Sequence, residues 1–362
     1  MNNQQTQKTS LLIIRFTLLR YLGGLVHTFW IGDLKMNYRT LGKTNYKVSE
    51  VSLGTWQLGS KWGDPFDETD AMQTLEEAYQ AGVNFFDTAD GYQNGNSEKA
   101  IGKFLAAHPE RQIYVSTKCG RGIEPHSISN YSKANIEQFV DHSLKNLQTD
   151  SLDLILLHCP PTDVYYKKEV FDTLDALKAA GKIKHYGVSV ERIEEAIKAL
   201  DYDVSAVEII FNIFRQKPAD LFFKLAKQHN VGTIIRVPLA SGLLTGKYTL
   251  ETKFGKNDHR NFNRDGKAFD KGETFAGVDY ATGVKAANEL KKQLGTDNLA
   301  QTALRWILMF DEVSTIIPGA SNANQIASNT GAADLPALTP EQMKIAQNIY
   351  QKYFEPVVKY RW

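Results

Sequence analysis

The sequence predicts an α/β fold, a closed (β/α)8 barrel of the TIM type with an N-terminal hairpin, a long loop after strand seven and an extra C-terminal helix. Strand-like apolar runs and helix-spaced segments alternate eight times, which favours a closed barrel over an open sheet. No shift in composition splits the chain. Polar groups also gather where three apolar runs stop: Phe-Phe-Asp87-Thr-Ala-Asp-Gly-Tyr92, Val-Ser-Thr-Lys118-Cys-Gly and Ile-Leu-Leu-His158-Cys-Pro. A parallel barrel places its chemistry at these carboxyl ends of strands.

The elements follow in order. Asn37–Lys47, centred on Leu-Gly-Lys-Thr-Asn, reads as a hairpin ahead of a first strand at Val48–Gln57. Helical spacing of Ala71, Leu75 and Ala78 leads to a strand at Val83–Ala89, then a helix at Ser97–Ala107 and a strand at Ile113–Lys118. Ser132–Gln148 puts Ile136, Val140, Leu144 and Leu147 on one helical face. Leu152–His158 is nearly all apolar, as a strand covered on both faces should be. Strands are expected at Ile183–Val190, Val207–Ile213, Gly232–Leu239 and Val313–Pro318. The intervening helices are Glu169–Ala180, Arg192–Leu200, Ala219–His229 and Leu299–Phe310. Thr249–Tyr280 is polar and rich in Gly and Asn, and a loop of that length in a compact domain is usually functional. Thr339 and Pro340 mark the N-cap and first position of a last helix running to Phe354.

Composition excludes several classes. With 362 residues, 42% of them apolar and 23% charged, the chain fits one barrel with an ordinary polar surface. A net charge of +1 gives no reason to expect nucleic acid or a membrane as partner. Two cysteines, Cys119 and Cys159, are too few for a disulfide framework or a zinc site, which fits a reducing, cytoplasmic setting, and no metal is expected. Residues 1–35 stand apart. Leu11–Ile31 is long and apolar but carries Arg15, Arg20 and His27, and a charge near a span's centre costs roughly 2.5–3.5 kcal/mol. The segment is expected to lie outside the fold, with translation starting at Met36; a weak anchor or amphipathic arm is the alternative. A single domain is expected over residues 37–362.

Asp87, Tyr92, Lys118 and His158 can together deliver a proton to a carbonyl oxygen. A tyrosine titrates near 10 and is a weak donor alone. An ammonium, Lys118, would lower that value, Asp87 would pair the ammonium, and a neutral His158 would orient and polarise the carbonyl. Singly, each has a plainer explanation: a turn aspartate, a surface aromatic, a solvated lysine, a satisfied histidine. Their order and placement at strand ends favour the joint reading.

That set, with its flanking residues, resembles the aldo-keto reductases from Asn37 to the C-terminus. The resemblance implies reduction of an aldehyde or ketone by hydride transfer from a nicotinamide cofactor, with Tyr92 as general acid and Asp87, Lys118 and His158 completing the catalytic set. No Gly-x-Gly-x-x-Gly follows the first strand, so a Rossmann site is not indicated. Gly242–Lys247 is one residue short of a P-loop and Tyr248 replaces its Ser or Thr. Pro238–Lys247 instead resembles the reductases' pyrophosphate segment, with Pro238, Leu239, Ser241, Gly242 and Lys247 as contacts. Gly319, Ser321, Gln325 and Asn329 resemble the adenosine-phosphate site, where a helix N-terminus would hold phosphate. Gly54, Thr55, Trp56, Asp87, Ser189, Glu208 and Arg236 complete the implied cofactor site. Substrate walls are expected from Trp56, Trp62, Tyr92 and His158, with the segment Pro160–Tyr166 and the long loop.

The chain departs from the family at several places. Arg236 stands where many relatives stack a tyrosine on the nicotinamide, Glu208 replaces the usual glutamine, and Ser189-Val190 replaces Ser-Asn. No Lys or Arg follows Pro-Gly-Ala, where many members hold the 2′-phosphate. The Gly-Ala-Ser-Asn-Ala-x-Gln run is similar to potassium-channel beta subunits, which bind NADP. NADP(H) is therefore expected, with Arg260 or Arg264 as the cation and Lys256 and Lys267 nearby; NAD is the alternative. The competing function is a channel-beta type regulatory subunit with vestigial catalysis, against which His158 stands, since those subunits carry a different residue there. A metal-dependent lyase or isomerase lacks a carboxylate cluster to support it. The partner expected is a small carbonyl substrate.

Overall fold

A computed structural model describes residues 36–60 and 64–362; the N-terminal extension and Trp62 lie outside the described residues. Strands β1 (Tyr38–Thr40) and β2 (Lys47–Ser49) pair as an antiparallel hairpin. Eight parallel strands then form one sheet in sequence order. They are β3 (Leu53–Gly54), β4 (Phe85–Asp87), β5 (Tyr114–Cys119), β6 (Leu152–His158), β7 (Ile183–Ser189), β8 (Ala206–Ile210), β9 (Gly232–Arg236) and β10 (Thr315–Ile316). The sheet closes on itself. Val51 bridges Ile316 and Gly54 bridges Gly319, and the Ser52 amide donates to the Ile316 carbonyl at 2.8 Å.

Helices cover the outside: α1 (Glu68–Gln80), α2 (Asn96–Ala107), α3 (Lys133–Leu147), α4 (Lys168–Ala179), α5 (Ile193–Ala199), α6 (Lys217–Leu221) and α7 (Phe223–Gln228) come before the inserted segment. Then follow α8 (His259–Phe262), α9 (Tyr280–Leu294), α10 (Leu299–Leu308), α11 (Ala323–Thr330), α12 (Pro340–Tyr353) and α13 (Glu355–Val358). The (β/α)8 expectation therefore holds.

Period-2 alternation along each strand sorts side chains to two cores. Val115, Ile155, Leu157, Val188, Val207 and Ile235 face the helices and join the large outer core. Phe85, Leu154, Leu156, Ala206 and Ile234 face inward, and Leu41 and Val48 of the hairpin join them to plug the amino-terminal floor. The plug explains Gly42 and Gly232. Gly42 sits at φ +48°, and a Cβ there would lie 2.1 Å from the Gly232 nitrogen, so only glycine allows the hairpin to approach β9. The same parity turns Asp87, Lys118, His158, Glu208 and Arg236 inward at the opposite end.

Three expectations shift. The run Val48–Gln57 is split: Val48 pairs with Arg39 in the hairpin and packs into the floor, so only Leu53–Gly54 remains in the barrel. The helix expected over Ala219–His229 breaks at Phe222, which is fully buried. The segment after β9 is not one long loop either, since it contains α8 and short turns at Lys271–Glu273 and Phe275–Gly277. Helix α9 was not anticipated. Its signals were nonetheless local: the Asp279 side chain accepts from the Thr282 amide at 2.9 Å, and Gly295 ends it at φ +61°.

Candidate active site

A cavity of about 920 Å³ opens at the carboxyl ends of the strands. Its wall includes Asp87, Tyr92 and His158, and Lys118 lies directly beneath, fully buried. The Lys118 ammonium donates to Asp87 Oδ1 in a short contact, to the Thr88 carbonyl at 3.0 Å and to the Tyr92 hydroxyl at 3.5 Å. Glu208 Oε2 stands 3.3 Å from the same ammonium. The Tyr92 and His158 rings meet edge-on with centroids 6.0 Å apart. The catalytic set read from the sequence is thus brought to one place.

Electrostatics assign protonation states. Burial pushes the Lys118 ammonium toward losing its proton, but Asp87 and Glu208 outweigh that and hold its pKa raised. Burial raises the Tyr92 phenol; Lys118 pulls it down, while Asp87 and Glu208 push it up, and the net is raised. Tyr92 is therefore a protonated donor at neutral pH. His158 is held well below its usual value by burial and by Arg121, Lys118 and Arg236, which keeps the imidazole neutral.

Buried polar atoms remain without a hydrogen-bond partner here: Asp87 Oδ2, Glu208 Oε2, His158 Nδ1 and Arg236 Nε. Such atoms are costly unless a ligand or water meets them. Of the cofactor residues expected, Gly54, Thr55, Trp56, Glu208, Arg236, Pro238, Leu239, Ser241, Gly242, Lys247, Arg260, Gly319, Gln325 and Asn329 line the cavity. Ser189 does not; it lies below and donates to Glu208 Oε1 at 3.0 Å. Ser321 does not line it either, because its amide and hydroxyl turn to Gln325 Oε1 at 2.8 and 3.2 Å. Gly242, at φ +92°, admits the Tyr248 ring where a Cβ would lie 2.2 Å from its hydroxyl.

The inserted segment contributes more than expected. His259 and Phe269 join Trp56 in an aromatic wall, with ring centroids 5.1 and 6.2 Å from the indole. Glu273 reaches the site and pairs with Arg121 at 3.1 Å and Arg236 at 3.4 Å. A carboxylate of Glu191, the Cys159 thiol and Glu273 converge within 4.8 Å. Arg236 stands 3.4 Å from the Cys159 sulfur, so guanidinium groups already share this cluster. Arg121, three residues past Lys118 on the loop that follows β5, was legible in principle; Glu273 looked like any polar loop residue.

Other expectations are corrected. Arg264 stays out of the cavity, its guanidinium donating to the Arg260 carbonyl at 2.8 Å and lying over Tyr280. Lys256 and Lys267 do not line it, whereas Lys291 of α9 does. Arg260 is committed to Asp258, at 2.8 Å through Nε, and also donates to the Tyr248 hydroxyl. Pro160–Tyr166 forms no wall: it turns outward, where the Thr162 hydroxyl donates to Glu195 at 2.7 Å.

Comparison with known proteins gives the same direction. The aldo/keto reductase family model matches residues 50–351. An aldo-keto reductase of Bacillus subtilis is 30% identical, over 80% of this chain and 87% of its own length. A probable voltage-gated potassium channel beta subunit of Arabidopsis thaliana is 31% identical, over 89% and 99%. The holo form of an aldo-keto reductase from Bacillus halodurans superposes with a TM-score of 0.71 at 29% identity, covering 87% of this chain and 96% of that one. By family match, coverage and fold, this chain belongs to the aldo/keto reductase family of oxidoreductases.

Proposed function

We propose that the protein reduces a small aldehyde or ketone to the alcohol, using NADPH and Tyr92 as the proton donor. The observation that carries this reading is the buried Lys118 ammonium, 3.5 Å from the Tyr92 hydroxyl and paired with Asp87, beneath a cavity large enough for a dinucleotide and a small substrate. Bound reduced nicotinamide would supply the hydride. Glu208 and Arg236 would flank its ring end, Pro238–Lys247 its pyrophosphate, and Gly319, Gln325 and Asn329 its adenosine; the unpartnered polar atoms at the ring end suit a polar ligand.

Neutral His158 donates to the carbonyl oxygen and fixes its direction. Tyr92 passes its proton to that oxygen as charge develops, and Lys118 stabilises the phenolate left behind. Trp56, His259 and Phe269 exclude water from one side. A turnover screen over a carbonyl panel with NADPH and NADH tests the assignment. Tight cofactor binding without turnover of any carbonyl would favour the regulatory-subunit alternative.

NADPH selectivity is assigned to Arg260, which lines the cavity. Its partner Asp258 already neutralises part of its charge, so the lower end of a charge-assisted hydrogen bond applies. Arg260→Ala is expected to raise the NADPH dissociation constant about 10-fold and leave that of NADH almost unchanged. Fluorescence-quench titration of both cofactors reads this directly. Equal losses for both would remove Arg260 as the determinant, and tighter NADH binding in the wild type would assign NAD instead. A protein lacking residues 1–35 is expected to remain folded and active, since the family match spans residues 50–351 and the hairpin and all eight barrel strands lie within residues 38–316; insolubility or lost turnover on truncation would give the segment a structural role.

A further inference from the structure

We propose that Glu208 is a second counter-ion of the Lys118 ammonium, a positioning residue that sets how readily Tyr92 releases its proton. The inference rests on the reading of Tyr92 as proton donor, and it goes beyond the carboxamide contact implied for position 208.

Glu208 lies at the middle of β8 with its side chain inside the barrel, almost wholly buried. One oxygen, Oε1, accepts from Ser189 at 3.0 Å. The other, Oε2, lies 3.3 Å from Lys118 Nζ and has no hydrogen bond. Asp87 meets the same ammonium from β4 and likewise leaves Oδ2 unpartnered. Two buried carboxylates therefore face one buried ammonium. In low dielectric, such a group answers to every charge around it. The charged or titratable groups facing this point are Asp87 of β4 and Asp90 after it, Lys118 of β5 and Arg121 after it, His158 of β6, Arg236 of β9 and Glu273 of the insert. Arg236 Nε stands 3.9 Å from Glu208 Oε1 and offsets part of its charge.

The consequence concerns direction. A lone Lys118–Asp87 pair would leave the ammonium free to favour the phenolate. The second carboxylate opposes that and keeps the phenol protonated, which suits proton donation over a wide pH range. An amide at this position would keep an oxygen for a cofactor carboxamide but lose the charge. Glu208→Gln thus separates the two roles.

In Glu208→Gln, NADPH affinity is titrated beside the rate, so that any loss of cofactor binding at the ring end is read separately from the pH profile. The alkaline limb of the reduction rate is expected to move about one pH unit toward acid. At the pH where the wild type is half-maximal, the variant should then run at about one tenth of its own plateau. Glu208→Asp keeps the charge but withdraws it from Lys118, so its limb should move the same way by less. An unmoved limb in the Gln variant with intact NADPH binding, or an alkaline shift, overturns the proposal. Should the Gln variant not fold, an unmoved limb in the Asp variant does so. Activity surviving in Tyr92→Phe would instead sink the proton-donor reading itself, whereas an inactive Tyr92→Phe beside an unmoved Glu208 limb would sink this inference alone.

Discussion

Tyr92→Phe is expected to lower carbonyl turnover by about 10²–10⁴-fold, the range general acid catalysis supplies, while NADPH binds nearly as well as before. The substitution removes one oxygen from a half-buried ring and leaves its contacts with Trp56 and His158 intact. No other hydroxyl is bonded to the Lys118 ammonium among the described residues. Burial, Asp87 and Glu208 hold the phenol above its ordinary range against the pull of Lys118. The wild-type reduction rate should therefore stay level through neutral pH and fall only as the pH climbs toward that ionisation. The check is a steady-state rate on the best substrate, under conditions where chemistry limits turnover. More than about half of the wild-type rate in the variant would mean that Tyr92 is not the donor.

Lys118→Met should cost both rate and stability. It leaves Asp87 and Glu208 without the one ammonium that both carboxyl groups face, at 2% exposure for Asp87 and 1% for Glu208. Removing one partner of a buried ion pair typically costs about 3–5 kcal/mol. The loss should depend on pH, with a definite sign. Burial and Glu208 raise the Asp87 pKa, and Lys118 is what opposes them. Without the lysine, the folded-state pKa rises further above its unfolded value of about 3.9. The protonated form is then the one the fold tolerates, so stability is retained at low pH and lost as pH rises. Denaturant midpoints at pH 5 and pH 8 should show the wild type and variant diverging at the higher pH. A constant gap, or none, would mean that Lys118 is not the compensating charge.

The barrel and its reacting end were readable because both depend on short-range rules. Period-2 alternation makes Leu154, Leu156 and His158 face one way and Ile155 and Leu157 the other, whatever the rest of the chain does. Parallel strands joined by right-handed crossovers then bring every strand's carboxyl end to the same rim. Asp87, Lys118 and His158 could be gathered from sequence on those grounds. Tyr92 follows because it lies a few residues past a strand end. Helix caps were equally local: Thr339 bonds the Gln342 amide at 3.2 Å as its position suggests.

What the sequence could not decide is which charges meet. Glu208 lies far along the chain from Lys118, and their 3.3 Å approach exists only because the barrel closes to a radius that side chains can span. Glu273 belongs to a segment with no strong periodicity, and only its fold over the rim sets it against Arg121 and Arg236. The same holds for the errors. Ser321 bonds Gln325 and Arg264 lies over the Tyr280 ring, contacts that form only once the chain is folded. Val48 left the barrel because the floor needed an apolar plug. Alternation and connectivity are properties of neighbours in sequence; ion pairing and packing across a closed barrel depend on distances that only the folded chain fixes.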